Sequence, residues 1–183
     1  MKDKEIELKF RITNEQKQAI LKHIKSLTIH SNSYRMIDTY YIPNFKEFEI
    51  DGRTIECVRI RETDNSTVIC YKKIHYEAAP IYCDEYETKI DNKEQMEKIL
   101  FALGFTTQMV IDKTRDSYYN DNFEFDFDSV KNLGELMEIE LKDNSGNIEE
   151  IYNLVKPFGL TEKDVTYEGI QLMMKKAINN NLK

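Results

Sequence analysis

Alternation of apolar and polar residues is the dominant pattern along this chain. In "EIELKFRI", residues 5–12, Ile6, Leu8, Phe10 and Ile12 share one parity, and Glu5, Glu7, Lys9 and Arg11 share the other. That is the period of a β-strand with two unlike faces. The same period returns in "YRMIDTYYI" (34–42), "TIECVRIRET" (54–63), "TVICYKKI" (67–74) and "YCDEYETKI" (82–90). It continues in "VIDKTRDSYY" (110–119), "NFEFDF" (122–127) and "GELMEIELK" (134–142), so about eight strands are predicted. "DNS" (64–66) reads as a hairpin turn, and "PNFKEFEIDGR" (43–53), with Pro43 and Asp51-Gly52, as a connecting loop or hairpin tip.

Helical periodicity appears in four places. Asn14 is the expected cap of "NEQKQAILKHIKSL", whose apolar stripe is Ala19, Ile20, Ile24 and Leu27. "DNKEQMEKILFALGF" has an Asp91 or Asn92 cap and stops at Gly104. "NIEEIYNLVKPFG" and "EKDVTYEGIQLMMKKAI" close the chain, with Thr161 as the natural cap of the second.

One parity of the strands is charged almost throughout. It carries Glu5, Glu7, Lys9 and Arg11, then Asp38 beside Tyr40, Arg59 and Arg61, Lys72, and Glu85, Glu87 and Lys89. It goes on through Lys113 and Arg115, Glu124, Asp126 and Asp128, and Glu138 and Glu140. The other parity, including Ile6, Leu8, Val58, Ile60, Phe125, Phe127, Met137 and Ile139, is apolar. A single E-x-E in a strand is ordinarily a solvated face with cross-strand pairs. Recurrence in nearly every strand, with few neutral polar residues among the charges, instead suggests a closed sheet turned inside out. Its apolar face would be covered by amphipathic helices and its charged face would line an interior.

Such an interior must be paired, hydrated or bound to a ligand, because unpaired buried charge costs several kcal/mol per ion. Clustered carboxylates, Glu5 with Glu7 and Glu138 with Glu140, suit a hard cation such as Mg²⁺ or Mn²⁺ rather than zinc. Clustered Arg and Lys suit phosphate oxygens. A metal–polyphosphate satisfies both.

Composition narrows the alternatives. The 183 residues are expected to form one domain, 1–183, with 40% hydrophobic and 32% charged residues. No apolar run approaches a membrane span and "MKDKEIE" has no signal-peptide core, so a cytoplasmic protein with no membrane partner is expected. A net charge of −7 argues against nucleic acid as a default partner. Cys57, Cys70 and Cys83 have no CxxC spacing and read as small apolar strand residues; His23, His30 and His75 are scattered.

"EIELK" resembles the E-x-E-x-K signature of the CYTH superfamily, the triphosphate tunnel metalloenzymes. "DTYY", "RIR", "YKK", "EYE", "KTR", "FDFDSVKNLGELMEIE" and "TYEGIQLMM" follow in the family's order over nearly the whole chain. The resemblance implies a mainly β, α+β fold: an eight-stranded antiparallel closed barrel forming a tunnel, with flanking helices. It implies that Glu5, Glu7, Glu138 and Glu140 hold a divalent metal, with Glu85, Glu87 and Asp126 nearby. Lys9, Arg59, Arg61, Lys72, Lys113 and Arg115 would grip a triphosphate. Lys72, with its pKa lowered by neighbouring cations, would pair with Tyr40 to activate water; the alternative is that Lys72 only binds phosphate and Tyr40 packs against it. Two departures stand out: Cys83 occupies a position often Arg in the family, and Thr166-Tyr167 replaces Ser-Tyr. A homodimer is plausible by the same resemblance.

The implied substrate is a triphosphate-bearing small molecule such as tripolyphosphate, ATP or thiamine triphosphate. Hydrolysis is the preferred reaction. The alternatives are class IV adenylyl cyclisation of ATP to cyclic AMP and pyrophosphate, a non-catalytic triphosphate sensor, and a barrel whose lining is salt-bridged for structural reasons alone.

Overall fold

The computed structural model describes residues 4–26, 28–78, 81–142 and 147–181. The strands are β1 (Lys4–Glu5), β2 (Glu7–Ile12), β3 (Ile29–Pro43), β4 (Glu49–Ile50), β5 (Arg53–Thr54), β6 (Glu56–Glu62), β7 (Thr67–His75), β8 (Tyr82–Lys89), β9 (Phe105–Tyr119), β10 (Phe123–Val130) and β11 (Gly134–Leu141). The helices are α1 (Asn14–Ile24), α2 (Lys93–Ala102), α3 (Glu149–Val155) and α4 (Ile170–Asn181), with 3₁₀ turns at Lys156–Phe158 and Glu162–Asp164.

One antiparallel sheet runs β1-β8-β7-β6-β3-β9-β10-β11-β2. Counting β1 and β2 as one segment interrupted at Ile6 gives the expected eight strands. Because the two edges of the sheet are successive pieces of that segment, the sheet must curl on itself. The expected full closure is not reached. The seam rests on Lys4↔Asp84 and Glu5↔Cys83, and β2 then leaves β8. At Phe10 its free edge instead makes a bridge to Val165, while the Thr166 amide donates to the Lys9 carbonyl at 2.8 Å. A strip of chain thus fills the seam in place of a continuous ladder.

The outward face is apolar, as the alternation requires. Leu8, Phe10, Phe125, Phe127, Met137 and Ile139 pack beneath Ile20, Leu21 and Ile24 of α1 and Ile151 and Val155 of α3. Tyr41, Val58 and Ile60 pack beneath Leu100 of α2. The cap of α1 is Thr13, in a capping box with Gln16, rather than Asn14. Its buried stripe takes Lys17 in place of the exposed Ala19, because Lys17 is paired with Glu135 at 2.8 Å; Leu27 lies outside the described residues. Asn92 caps α2 as expected. Asp51 and Gly52, both at positive φ (49° and 74°), turn the small β4–β5 hairpin.

Thr161 caps the 3₁₀ turn at 162–164, and α4 begins only at Ile170. The intervening residues are held extended by their bonds to β2, which outweigh the local helical pattern. The inward rows turn apolar at one end: Tyr40, Ile111, Val130 and Leu136 pack against Ile170 and Met173, so α4 stoppers that end of the interior.

Candidate active site

A cavity of about 440 Å³ occupies the interior. All fourteen residues assigned to metal, phosphate or catalysis from the sequence line it, because they share one parity of neighbouring strands and the curl brings that parity inward. Six basic and eight acidic side chains face it.

The charges are already organised into networks. Near α4, the wholly buried Asp38 accepts a fork from Arg61, with Nε at 2.7 Å and Nη2 at 2.9 Å. Asp128 accepts Lys113 Nζ at 2.6 Å and both Nε and Nη2 of Arg115 at 2.6 Å. Arg115 continues to Glu138 at 2.6 Å and to Asp126, and Lys9 meets Glu138 at 2.8 Å. On the opposite wall Lys72 bridges Glu5 at 2.8 Å and Glu85 at 2.7 Å, and Arg59 Nη2 lies 3.5 Å from Glu85.

Of the six cations expected to hold phosphate, Arg61, Lys113 and Arg115 are therefore largely committed to Asp38 and Asp128. Those two carboxylates belong to the charged parity, but nothing in the sequence separated internal counter-ions from ligands. Arg59 differs from the rest: its Nε is buried and has no hydrogen-bond partner, the sole such side-chain atom among the described residues. An anion entering the cavity would satisfy it.

Burial pushes the Lys72 ammonium towards neutrality, but Glu7, Glu5 and Glu85 outweigh it and hold its pKa well above the ordinary lysine range. The expected lowering is thus reversed, because carboxylates rather than cations crowd this lysine. Burial, reinforced by Asp38, raises the Tyr40 phenol, and no hydrogen bond joins Tyr40 to Lys72 among the described residues. The lysine whose pKa falls is Lys113, brought to about 8 by burial and by Arg115 beside it.

The carboxylates suit a cation. On this wall burial raises Glu5 to about 8 against the pull of Lys72, and the adjacent Glu85 adds to the rise. Beside it, Cys70, Glu85 and Glu87 place three possible ligand atoms within 4.8 Å of one another. Cys70 donates to Glu85 at 2.9 Å, and Cys57 and Cys83 line the cavity, so the thiols expected only as small apolar strand residues lie on the inward parity. Asp126, raised to about 6 by burial, and Glu138, which Lys9 and Arg115 hold low against burial, form a second acidic group already bound to cations. Alternation did not reveal Gly169, Ile170 and Gln171, which the start of α4 brings to the cavity, or Thr54 from β5.

The CYTH domain family matches residues 3–166. A candidate adenylate cyclase of Methanocaldococcus jannaschii is 26% identical over 166 residues, covering 87% of this chain and 93% of that protein. The PH1012 protein of Pyrococcus horikoshii superposes with a TM-score of 0.74 at 24% identity, over 92% of this chain and 98% of its own. A candidate adenylyl cyclase from Hippeastrum with a dominant triphosphatase activity gives a TM-score of 0.62 at 15% identity, over 98% and 96% of the two chains. With its motifs turned into one charged interior and the family match spanning nearly all of its length, the chain belongs to the CYTH domain family.

Proposed function

We propose that the protein is a cytoplasmic, divalent-metal-dependent triphosphatase that hydrolyses a triphosphate inside the curled sheet. The observation that carries this reading is the buried Arg59 Nε without a partner in a cavity whose five other cations are each paired with a carboxylate. Arg59, Lys72 and Lys9 form the phosphate grip, and Arg61, Lys113 and Arg115, tied to Asp38 and Asp128, add a fixed positive background. Lys72 keeps its proton and binds a phosphoryl oxygen, and Tyr40 stays a neutral donor. The metal, Mg²⁺ or Mn²⁺, would be held by Glu5, Glu7, Glu138 and Glu140, where Glu7 of β2 and Glu140 of β11 are register partners, with Glu85, Glu87 and Asp126 nearby. When bound, it supplies Lewis-acid neutralisation of the phosphate oxygens. Phosphoryl transfer asks mainly for positioning and charge neutralisation, which this lining offers.

Cyclisation of ATP is the second reading, favoured by the names of the Methanocaldococcus and Hippeastrum relatives. Incubation with tripolyphosphate, ATP and thiamine triphosphate, each with Mg²⁺ or Mn²⁺, separates the two. Orthophosphate without cyclic AMP is expected. Cyclic AMP with matching pyrophosphate would overturn the triphosphatase reading, and ligand-induced stabilisation without any product would make the protein a sensor.

A further inference from the structure

The second helix ends in "ILFAL", residues 99–103, five apolar residues in succession. A helix lying on a sheet needs one apolar stripe, and α2 already has it in Met96 and Leu100, packed with Tyr41, Val58 and Ile60. The rest of the last turn faces away from the core: Ile99 is 46% exposed, Phe101 48% and Leu103 61%, and Ala102 is exposed as well. Phe45, in the loop after β3, adds a fourth large side chain at 68%. Ten large apolar side chains are exposed among the described residues, and four of them gather at this one end of α2. An apolar run of this length left in the open belongs to an interaction face rather than to a folding face.

The face is held from beneath. The Asn44 amide donates to the Gly104 carbonyl at 2.9 Å, which ties the loop to the end of the helix. Gly104, at φ +86°, permits that approach, since a Cβ there would lie 2.8 Å from Asn44 Oδ1. The Phe45 ring meets Phe105 edge-on at 6.0 Å, and Phe101 meets Tyr41 at 6.3 Å. The Tyr41 hydroxyl in turn donates to Glu97 at 2.6 Å. A partner therefore meets a preformed surface and pays little for ordering it.

Side chains of this size carry roughly 200 Å² each when free, so the four expose about 400 Å². Two such faces in contact would remove about 800 Å² of apolar area from water. At the apolar share of about 56–65% found in protein interfaces, that corresponds to about 1,200–1,400 Å² in total, enough for a specific dimer. Charge points the same way. The four side chains carry none, so the face can meet its own copy about a two-fold axis without setting like charges opposite each other. Glu94 and Lys98, one turn apart on α2 and both exposed, put both signs beside it. A net charge of −7 disfavours an anionic membrane or nucleic acid. We infer that the end of α2 and the loop carrying Phe45 form an isologous interface through which two copies of this chain associate. The face lies outside the strand that carries Arg59 and Arg61, beyond Val58 and Ile60, so the cavity is left uncovered and the inference holds whatever reaction the cavity performs.

Sedimentation velocity of the full chain over a dilution series is expected to show a monomer–dimer equilibrium, reaching the mass of two chains at the concentrated end. Leu103→Glu and, on a separate element, Phe45→Glu should each raise the dissociation constant by about 30-fold or more, the change that marks a hot spot. Far-UV circular dichroism of both variants should match the wild type, because both side chains are exposed. Ile29→Glu, equally exposed at the far end of β3, should leave the dissociation constant within about twofold. The chain contains no tryptophan, so Phe101→Trp places a single indole in the face, and its emission should move to the red on dilution as the interface opens. A wild type that stays monomeric at every concentration, or a dimer that survives both glutamate substitutions, overturns the inference. So does a monomer that co-sediments with phosphatidylcholine–phosphatidylserine vesicles through the same residues, which would make the face a membrane contact instead.

Discussion

Replacing Asp128 by Asn isolates the energetics of the charged interior with almost no change of shape. Asp128 is 1% exposed and is the close partner of two buried cations, Lys113 and Arg115. Removing one member of a buried ion pair costs about 3–5 kcal/mol, because the other is left in a poor solvent. Arg115 retains Asp126 and Glu138, whereas Lys113 keeps only Asp38 at 4.0 Å, which places the loss near the lower end, about 3 kcal/mol. With a urea slope of about 2 kcal/mol per M, the midpoint should fall by about 1.5 M.

The loss should also depend on pH. Lys113 already titrates near 8 in the fold, and without Asp128 its folded pKa drops further. Between that lower value and about 8 the folded variant has shed a proton that the folded wild type still holds. Since the unfolded chain keeps the proton, the variant gains stability with rising pH in this window and the gap to wild type narrows. Tripolyphosphate should stabilise the variant more than the wild type, because its oxygens meet the stranded cations. Urea titrations at pH 6, 7 and 8, with and without tripolyphosphate and with far-UV circular dichroism as the probe, read all three effects. A midpoint within about 0.3 M of wild type, or a gap that stays constant with pH, would refute the idea that Asp128 is the counter-ion of this network.

Glu138→Gln releases Lys9 and Arg115 from their shared carboxylate and removes a proposed metal ligand, so kcat should drop by about two orders of magnitude or more while the fold persists; retention of a tenth of the activity would count against the assignment. In Gly169→Ala the new Cβ would lie 2.6 Å from both Thr54 Oγ1 and Gln171 Oε1, so about 1–3 kcal/mol of stability should be lost in denaturant titration, and Thr54→Ala should recover part of it. A wild-type-like Gly169→Ala would show that no close approach exists there. Hydrogen bonds to Asp84 and Glu77 raise the pKa of His75, so its stabilising contribution is complete below the free imidazole value of about 6.5 and fades as pH rises through the raised value. The melting temperature of the wild type should therefore fall relative to His75→Gln between pH 6 and 8.5, and parallel curves would remove the effect.

Alternation by itself determined the strands, which faces of them are charged and even the need for an enclosed interior, since a side-chain period of two leaves a strand only two faces. Glu5, Arg59, Lys72, Glu85, Arg115 and Glu138 could be assigned to one site because each shares its strand's inward parity. Partnership between strands is a different matter, since period two says nothing about distance across a barrel. Only the folded register sets Asp128 against Lys113 and Arg115, and Asp38 against Arg61, which ties half of the expected phosphate grip to carboxylates outside the expected ligand set. It also surrounds Lys72 with carboxylates instead of cations, and so reverses the sign of its pKa shift. The residues after Thr161 carry a helical pattern, yet the open edge of β2 holds them extended, because its unpaired backbone groups are satisfied there. That contact brings Tyr167 to Tyr76 across 91 positions of sequence, a pairing no local pattern encodes.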